Sequence, residues 1–377
     1  MPVGTKATIK GVPPWLVAQT GAQCVLANTY HLLLRPGPDI VRGRGGLHGF
    51  MLWDAPILTD SGGYQAFSMS DTNRITDDAV IFKSIVDGST VALTPERAIE
   101  VQNALGADII MALDDCPPSV DPSASGGDRG RPGAHARRLD EALDRTARWL
   151  ARCAEAHARP GEQALFGIVQ GGTDLERRSA SARQVTAVAL PGYAIGGVAV
   201  GEGHGEIARV VAHTAPLLPD AKPRYLMGVG YERDLVAAVR AGVDMFDCVI
   251  PTRNGRNANA FTRNGRVRLR NAGHAEDDGP IEEGCDCPAC APAAYCGAGW
   301  APPGGRGWFS RSYLRHLFMA EEMLGPILVT LHNLRHFQRL MVDIRATIRE
   351  DGWLGFSRRW PVADPAWRGD DADSVPG

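Results

Sequence analysis

PERAIEVQNALG (95–106), running directly into ADIIMALD (107–114), is the stretch whose reading decides the fold. Thr94 stands as an N-cap ahead of Pro95, a proline placed where a helix tolerates it, so the first half reads as helix. The second half is an apolar run ending on Asp114, and reads as a strand. Outward from it the same alternation recurs. QCVLAN (23–28), PILTD (56–60), ALFGIVQ (164–170), GYAIGGV (192–198), RYLMGVG (224–230) and MFDCVIP (245–251) are further strand candidates. Between them lie helical patterns, such as Leu139, Leu143, Ala147 and Leu150 on one face of 139–158. Strand–helix alternation predicts a parallel sheet covered by helices. Seven or eight such units fit an α/β fold closed as a (β/α)8 TIM barrel better than an open doubly wound sheet. No G-x-G-x-x-G opens the first unit, so a dinucleotide-binding sheet has little support.

The 377 residues carry 40 Lys+Arg against 43 Asp+Glu, a formal net charge of −3, with 44% hydrophobic residues. This is the composition of a globular protein with a sizeable core. No apolar run reaches the roughly 20 residues of a membrane helix, and no secretory leader opens the chain. Four of the eight cysteines (Cys285, Cys287, Cys290 and Cys296) fall in one short stretch, the pattern of a metal site in a reducing compartment. A cytoplasmic enzyme or binding protein, with no membrane partner, is the expectation.

In a parallel barrel, chemistry collects where strands end. Here those ends carry Asp60 followed by Ser61-Gly62-Gly63, Asp114, Gln170 before Gly171-Gly172, Gly196-Gly197, Met227-Gly228, and Asp247. Asp247 is the sharpest case, because a carboxylate between Phe246 and Cys248 is poorly solvated and needs a purpose or a partner. Two aspartates across a barrel mouth suit displacement at a sugar carbon, one as nucleophile and one managing the leaving group's proton. A further Asp and Gln suit the edge of a heterocycle, and Gly197 allows close backbone approach. Tyr64 and Met227 are candidates for packing on a flat ring, and equally for simple core positions.

These motifs together resemble the bacterial-type tRNA-guanine transglycosylases (the queuine tRNA-ribosyltransferase family). The stretches that carry the resemblance include MPVGTKATIKG (1–11), ANTYHLLLRPG (27–37), LTDSGGYQAFS (58–68), MALDDCPP (111–118), GIVQGG (167–172), DMFDCVIPTRNGRNANAFT (244–262) and CDCPAC (285–290), in the family's order. The resemblance implies a TIM barrel with a zinc-binding subdomain near the C-terminus. It implies exchange of the wobble guanine (position 34) in tRNAs with a G-U-N anticodon for 7-aminomethyl-7-deazaguanine, through a covalent aspartyl-ribosyl intermediate, in queuosine biosynthesis. It makes Asp247 the nucleophile and Asp60 the general acid/base. It puts Asp114 and Gln170 on the guanine edge, Gly197 at a backbone contact, and Tyr64 and Met227 on either side of the ring. Cys116 and Val200 match the bacterial small-pocket pattern. Homodimerisation is carried over from the family.

Cys285-x-Cys287-x-x-Cys290 is a strong metal signal in its own right. The resemblance places the fourth zinc ligand on His332; Cys296, in a segment longer than the family's usual, is a rival, and His316 and His336 are weaker candidates. Arg253, Arg256, Arg263, Arg266, Arg268 and Arg270 follow Asp247 with no acid among them. Arg253 and Arg256, nearest the reactive aspartate, are the candidates for gripping phosphates of the RNA; the later four fit a polar hairpin equally well. Residues 1–271 are expected to form the barrel, 272–350 the zinc subdomain with helices packed on the barrel, and 351–377 a flexible tail. Residues 119–138 read as a surface insertion. Relatives carry residues ahead of MPVG, so the first barrel strand is expected to be shortened. The alternative reading is an inactive or truncated RNA-binding relative without a complete barrel.

Overall fold

The structure, a computed structural model, describes residues 1–68, 73–119, 133–198, 202–296, 307–350 and 352–367. Its strands in chain order are β1 (Val25–Ala27), β2 (Ile57–Thr59), β3 (Arg74–Ile75), β4 (Val80–Lys83), β5 (Thr90–Leu93), β6 (Ile109–Met111), β7 (Ala164–Val169), β8 (Gly192–Ile195), β9 (Arg224–Leu226), β10 (Met245–Phe246), β11 (Asn259–Thr262) and β12 (Gly265–Arg268). Seven of them, in the order β1-β2-β6-β7-β8-β9-β10, form one curled parallel sheet. Pro2 and Val3 occupy the eighth position, pairing in parallel with Cys248 on one side and Leu26 on the other. The short first strand expected from the sequence is thus a pair of bridging residues that close a (β/α)8-type barrel. Gly4 N–H donates to the Leu26 carbonyl at 2.7 Å and Leu26 N–H to that of Pro2 at 2.9 Å.

The strands are apolar on both faces because both faces are buried. Leu26, Leu58, Met111, Phe166, Ile168, Ala194 and Tyr225 pack together inside the barrel, while their alternate neighbours Ala27, Ile57, Ile110, Leu165, Tyr193, Ile195 and Leu226 join the helix-covered core. That is the physical origin of unbroken hydrophobic runs such as IIMAL. The helix expected at 95–106 spans Pro95–Leu105; Thr94 Oγ1 accepts the Arg97 N–H at 3.1 Å, and Gly106 ends the helix in a left-handed conformation. The helical pattern at 139–158 belongs to a longer helix, Ala134–Ala156.

Two features depart from the sequence reading. β3, β4 and β5 form an antiparallel sheet between β2 and β6, folded over at Asp87-Gly88, where Gly88 has φ +73°. Residues 352–367 are not a loose tail: Trp360 is fully buried, its Nε1 donates to Asp343 at 2.8 Å, and the Arg263 guanidinium lies 4.7 Å over its ring. A tryptophan offers enough apolar area to dock a polar segment that lacks a periodic pattern. The stretches 120–132 and 297–306 within the two insertions, and 368–377 of the expected tail, lie outside the described residues. No helix among the described residues is long and apolar enough to cross a membrane.

Candidate active site and metal centre

The barrel brings the predicted carboxylates to its mouth. Asp60 follows β2, is 7% exposed, and is held from both sides: Asn28 Nδ2 donates to Oδ2, and the Thr29 N–H to Oδ1 at 2.8 Å. Burial, with Asp247 and Asp114 adding to it, outweighs those two donors and pushes the Asp60 carboxyl up to about 7. Asp114 follows β6. Gln170 Nε2 donates to its Oδ2 at 2.6 Å and Ser61 Oγ to its Oδ1 at 3.2 Å, yet burial still raises it to about 6.

Its sequence neighbour has the opposite surroundings. Asp115 is buried under two guanidiniums, Arg138 (2.8 and 2.5 Å) and Arg145 (2.5 Å). Of the two adjacent aspartates, Asp115 is neutralised by bidentate pairing and anchors the helix Ala134–Ala156, whereas Asp114 meets only neutral donors.

Asp247 follows β10 and is half-buried. Its Oδ1 accepts from the Tyr225 hydroxyl at 2.6 Å and from the Gly228 N–H at 2.8 Å. Among the described residues no donor reaches Oδ2, so one carboxylate oxygen is fixed and the other is left open. Tyr64 sits in the helix Gly63–Ser68, 44% exposed, and Met227 directly after β9 is half-buried. Gly197 has φ +61°, and a Cβ there would lie 2.3 Å from Gln170 Oε1. The position therefore excludes a side chain on two grounds. Cys116 is half-buried, and burial of its thiol pushes it up to about 12. Val200 lies outside the described residues.

Arg253 is exposed and Arg256 half-buried in the helix Ile250–Arg256, which begins three residues after Asp247. The β11–β12 hairpin carries Arg266 and Arg268, and Arg263 in its turn is taken up by Trp360 and by Asp343 at 3.6 Å. Arg263 thus belongs to the packing of the C-terminal segment.

Cys285, Cys287, Cys290 and His332 come together in a buried cluster whose ligand atoms all lie within 4.8 Å of one another. His332 Nδ1 is 3.6, 3.3 and 3.6 Å from the three sulfurs. Bonds of about 2.3 Å to thiolate and 2.0–2.1 Å to imidazole, at a tetrahedral angle, separate such donors by about 3.6 Å. The donor set therefore fits a closed four-coordinate metal ion. His332 Nε2 lies 2.7 Å from the Phe261 carbonyl, which makes that nitrogen the N–H donor and leaves Nδ1 to face the thiols. Cys296 is not part of the cluster. His336 is committed elsewhere, 2.7 Å from Glu232.

The family model for queuine tRNA-ribosyltransferases matches residues 1–364. The chain belongs to this family. A queuine tRNA-ribosyltransferase of Symbiobacterium thermophilum is 51% identical over 371 residues, covering 97% of this chain and 85% of its own length. One of Thermus thermophilus is 49% identical over 360 residues (96% and 86%), and one of Synechococcus elongatus 48% over 367 (97% and 88%). Family membership identifies the protein as an enzyme of the transferase class.

Sequence reasoning missed Tyr225 and Asn28, which hold the two aspartates. Tyr225 and Asn28 were visible only as parts of strand-end motifs. Tyr225 stands two residues before Met227 on the inward-facing alternation, a signal that would have placed its side chain inside the barrel.

Proposed function

We propose that this protein exchanges the wobble guanine of tRNAs with a G-U-N anticodon for 7-aminomethyl-7-deazaguanine, in the cytoplasm, as a step of queuosine biosynthesis. The observation that carries the reading is the split environment of Asp247 and Asp60. Asp247 has one oxygen fixed by Tyr225 and Gly228 and the other open, the arrangement of an aimed nucleophile. Asp60, poised at about 7, serves as both acid and base near neutrality.

The open oxygen of Asp247 attacks the anomeric carbon of a nucleotide drawn out of its stack. The C1′–N9 bond breaks, an ester to the ribose forms, and Asp60 delivers a proton to the departing purine. The incoming base then gives a proton to Asp60 and displaces the carboxylate, so two inversions restore the original configuration. Asp114 accepts from the purine's N–H donors while Gln170 holds that carboxylate in place. Tyr64 and Met227 flank the ring. Cys116, which matches the bacterial small-pocket pattern, is the residue we assign to admitting an aminomethyl group rather than a larger substituent. Arg253 and Arg256 grip the neighbouring phosphates. Cys285, Cys287, Cys290 and His332 would hold one Zn²⁺, whose role there would be to tie the 285–290 loop to the helix Leu324–Arg349, outside the chemistry. The protein acts as a homodimer.

The deciding experiment is incorporation of labelled guanine into unmodified G-U-N tRNA. Wild type incorporates label and Asp247→Ala loses about 10³-fold or more. A folded, zinc-loaded wild type that incorporates none would leave only an RNA-binding relative.

A further inference from the structure

Arg178, on the helix Leu175–Thr186, is wholly buried, and every hydrogen-bond partner it has is a main-chain carbonyl. Its Nε donates to Gly172 at 2.8 Å, Nη1 to Val169 at 3.1 Å and Gly196 at 2.6 Å, and Nη2 to Gly197 at 2.9 Å. Among the described residues no carboxylate hydrogen-bonds to it, and Glu202 acts on it only through space. A buried charge without a direct ion pair is an expensive way to fill space, and an apolar side chain of similar volume packs more favourably. What the guanidinium provides instead is a rigid fork that orients four dipoles.

The two carbonyls at 196 and 197 determine what the other side of that turn displays. In a trans peptide the C=O and the following N–H point in opposite directions. With the Gly196 and Gly197 carbonyls both drawn toward Arg178, the N–H groups of Gly197 and Val198 face away from it. The left-handed Gly197, at φ +61°, is what lets two successive carbonyls share one side. Neither N–H has a partner among the described residues. The turn also touches the base-facing residues: a Cβ on Gly196 would lie 2.8 Å from Gln170 Nε2 and 3.5 Å from Met227 Sδ. Two aligned, unpaired donors beside Gln170 suit a carbonyl oxygen, and a guanine-type purine has a single exocyclic carbonyl, at C6.

Resting on the base-exchange reading, we propose that Arg178 is a positioning residue: it holds the Gly196–Val198 turn so that its N–H pair meets the 6-oxo group, and so sets the preference for 6-oxo purines. Recognition of the 2-amino edge is left to Asp114, which Arg178 does not touch.

The test compares wild type with Arg178→Lys and Arg178→Met. 2-Aminopurine, which lacks the 6-oxo group, and hypoxanthine, which lacks the 2-amino group, compete against labelled guanine for incorporation into G-U-N tRNA. Lysine keeps the charge but not the fork, and methionine keeps the volume without a buried charge. In either variant with wild-type zinc content and circular dichroism, the preference for guanine over 2-aminopurine is expected to fall at least tenfold. The preference for guanine over hypoxanthine is expected to stay within twofold. An unchanged 2-aminopurine ratio, or an equal fall in both ratios, overturns the proposal. Failure of both variants to fold overturns it too, because Arg178 is then a support of the barrel and no more. A wild type that incorporates no guanine sinks base exchange itself, an outcome distinct from all of these.

Discussion

Two polar clusters are buried in this chain, and they are finished to different degrees. At the metal centre every donor is turned inward: three thiols and Nδ1 face one point, and the remaining histidine nitrogen is tied to Phe261. At the barrel mouth the carboxylates are only partly satisfied. Asp60 and Asp114 have donors on both oxygens and are still pushed up to about 7 and 6, while Asp247 keeps an oxygen without a donor among the described residues. A closed cluster stabilises a fold, whereas an open one stores reactivity at the expense of stability. The small apolar core around the cysteines, with Ile281, Leu314, Leu317, Phe318, Leu328 and Val329, shows what the closed cluster organises.

The largest expected effect breaks the closed side. Chelation, or Cys287→Ala, removes the link between the 285–290 loop and the helix Leu324–Arg349, and the melting temperature is expected to fall by about 10 °C or more in calorimetry. Binding of a free purine at low temperature should survive, since the mouth lies in the barrel. An unchanged melting temperature would show the cluster to be dispensable.

Asp60 sharpens the open side through pH. Its carboxyl lies at about 7 in the folded protein against an ordinary value of 3.8, so the folded state keeps a proton that the unfolded chain releases. The stabilisation is therefore complete below about pH 4 and is lost as pH rises through 7. Urea titrations should show wild type losing roughly 2–4 kcal/mol relative to Asp60→Asn between pH 4 and pH 8. A difference that stays flat with pH would mean that the carboxyl is ionised throughout.

Tyr225→Phe removes one of the two donors on Asp247 and leaves the ring in the barrel interior. Exchange is expected to slow about tenfold, with the KM for tRNA unchanged. A rise in KM alone would place the hydroxyl in binding rather than in aiming the nucleophile. Arg253→Ala, on the exposed face, should reduce the salt dependence of tRNA binding by about one unit of slope and change affinity only modestly. Arg263→Ala is the control: it lies over Trp360, so it should lower stability without altering that slope.

Much of the mouth was legible because strand ends are local features. Asp60, Asp114, Gln170 and Asp247 each close an apolar run, and a parallel barrel gathers all such ends at one rim. The C-x-C-x-x-C run was legible for a similar reason, since thiolates so closely spaced repeat the short ligand intervals of metal sites. The β3–β5 sheet was not, because its strands are short and only Val80, Phe82 and Leu93 are buried. Nor was the packing of 352–367, which hangs on one tryptophan and not on a period. The choice between His332 and Cys296 also lay beyond the sequence, because it depends on how a loop and a distant helix meet.

What the sequence determined by itself is the alternation of strand and helix, the polar endings of the strands and the trio of cysteines, all set by neighbours within a few residues. The tertiary structure decided which of two adjacent aspartates is paired with arginines, which oxygen of Asp247 is held, and which arginine is turned inward. Those outcomes depend on burial and on partners from elements far apart in the chain. Asp114 and Asp115 are chemically identical until the fold surrounds one with two guanidiniums and the other with an amide and a hydroxyl.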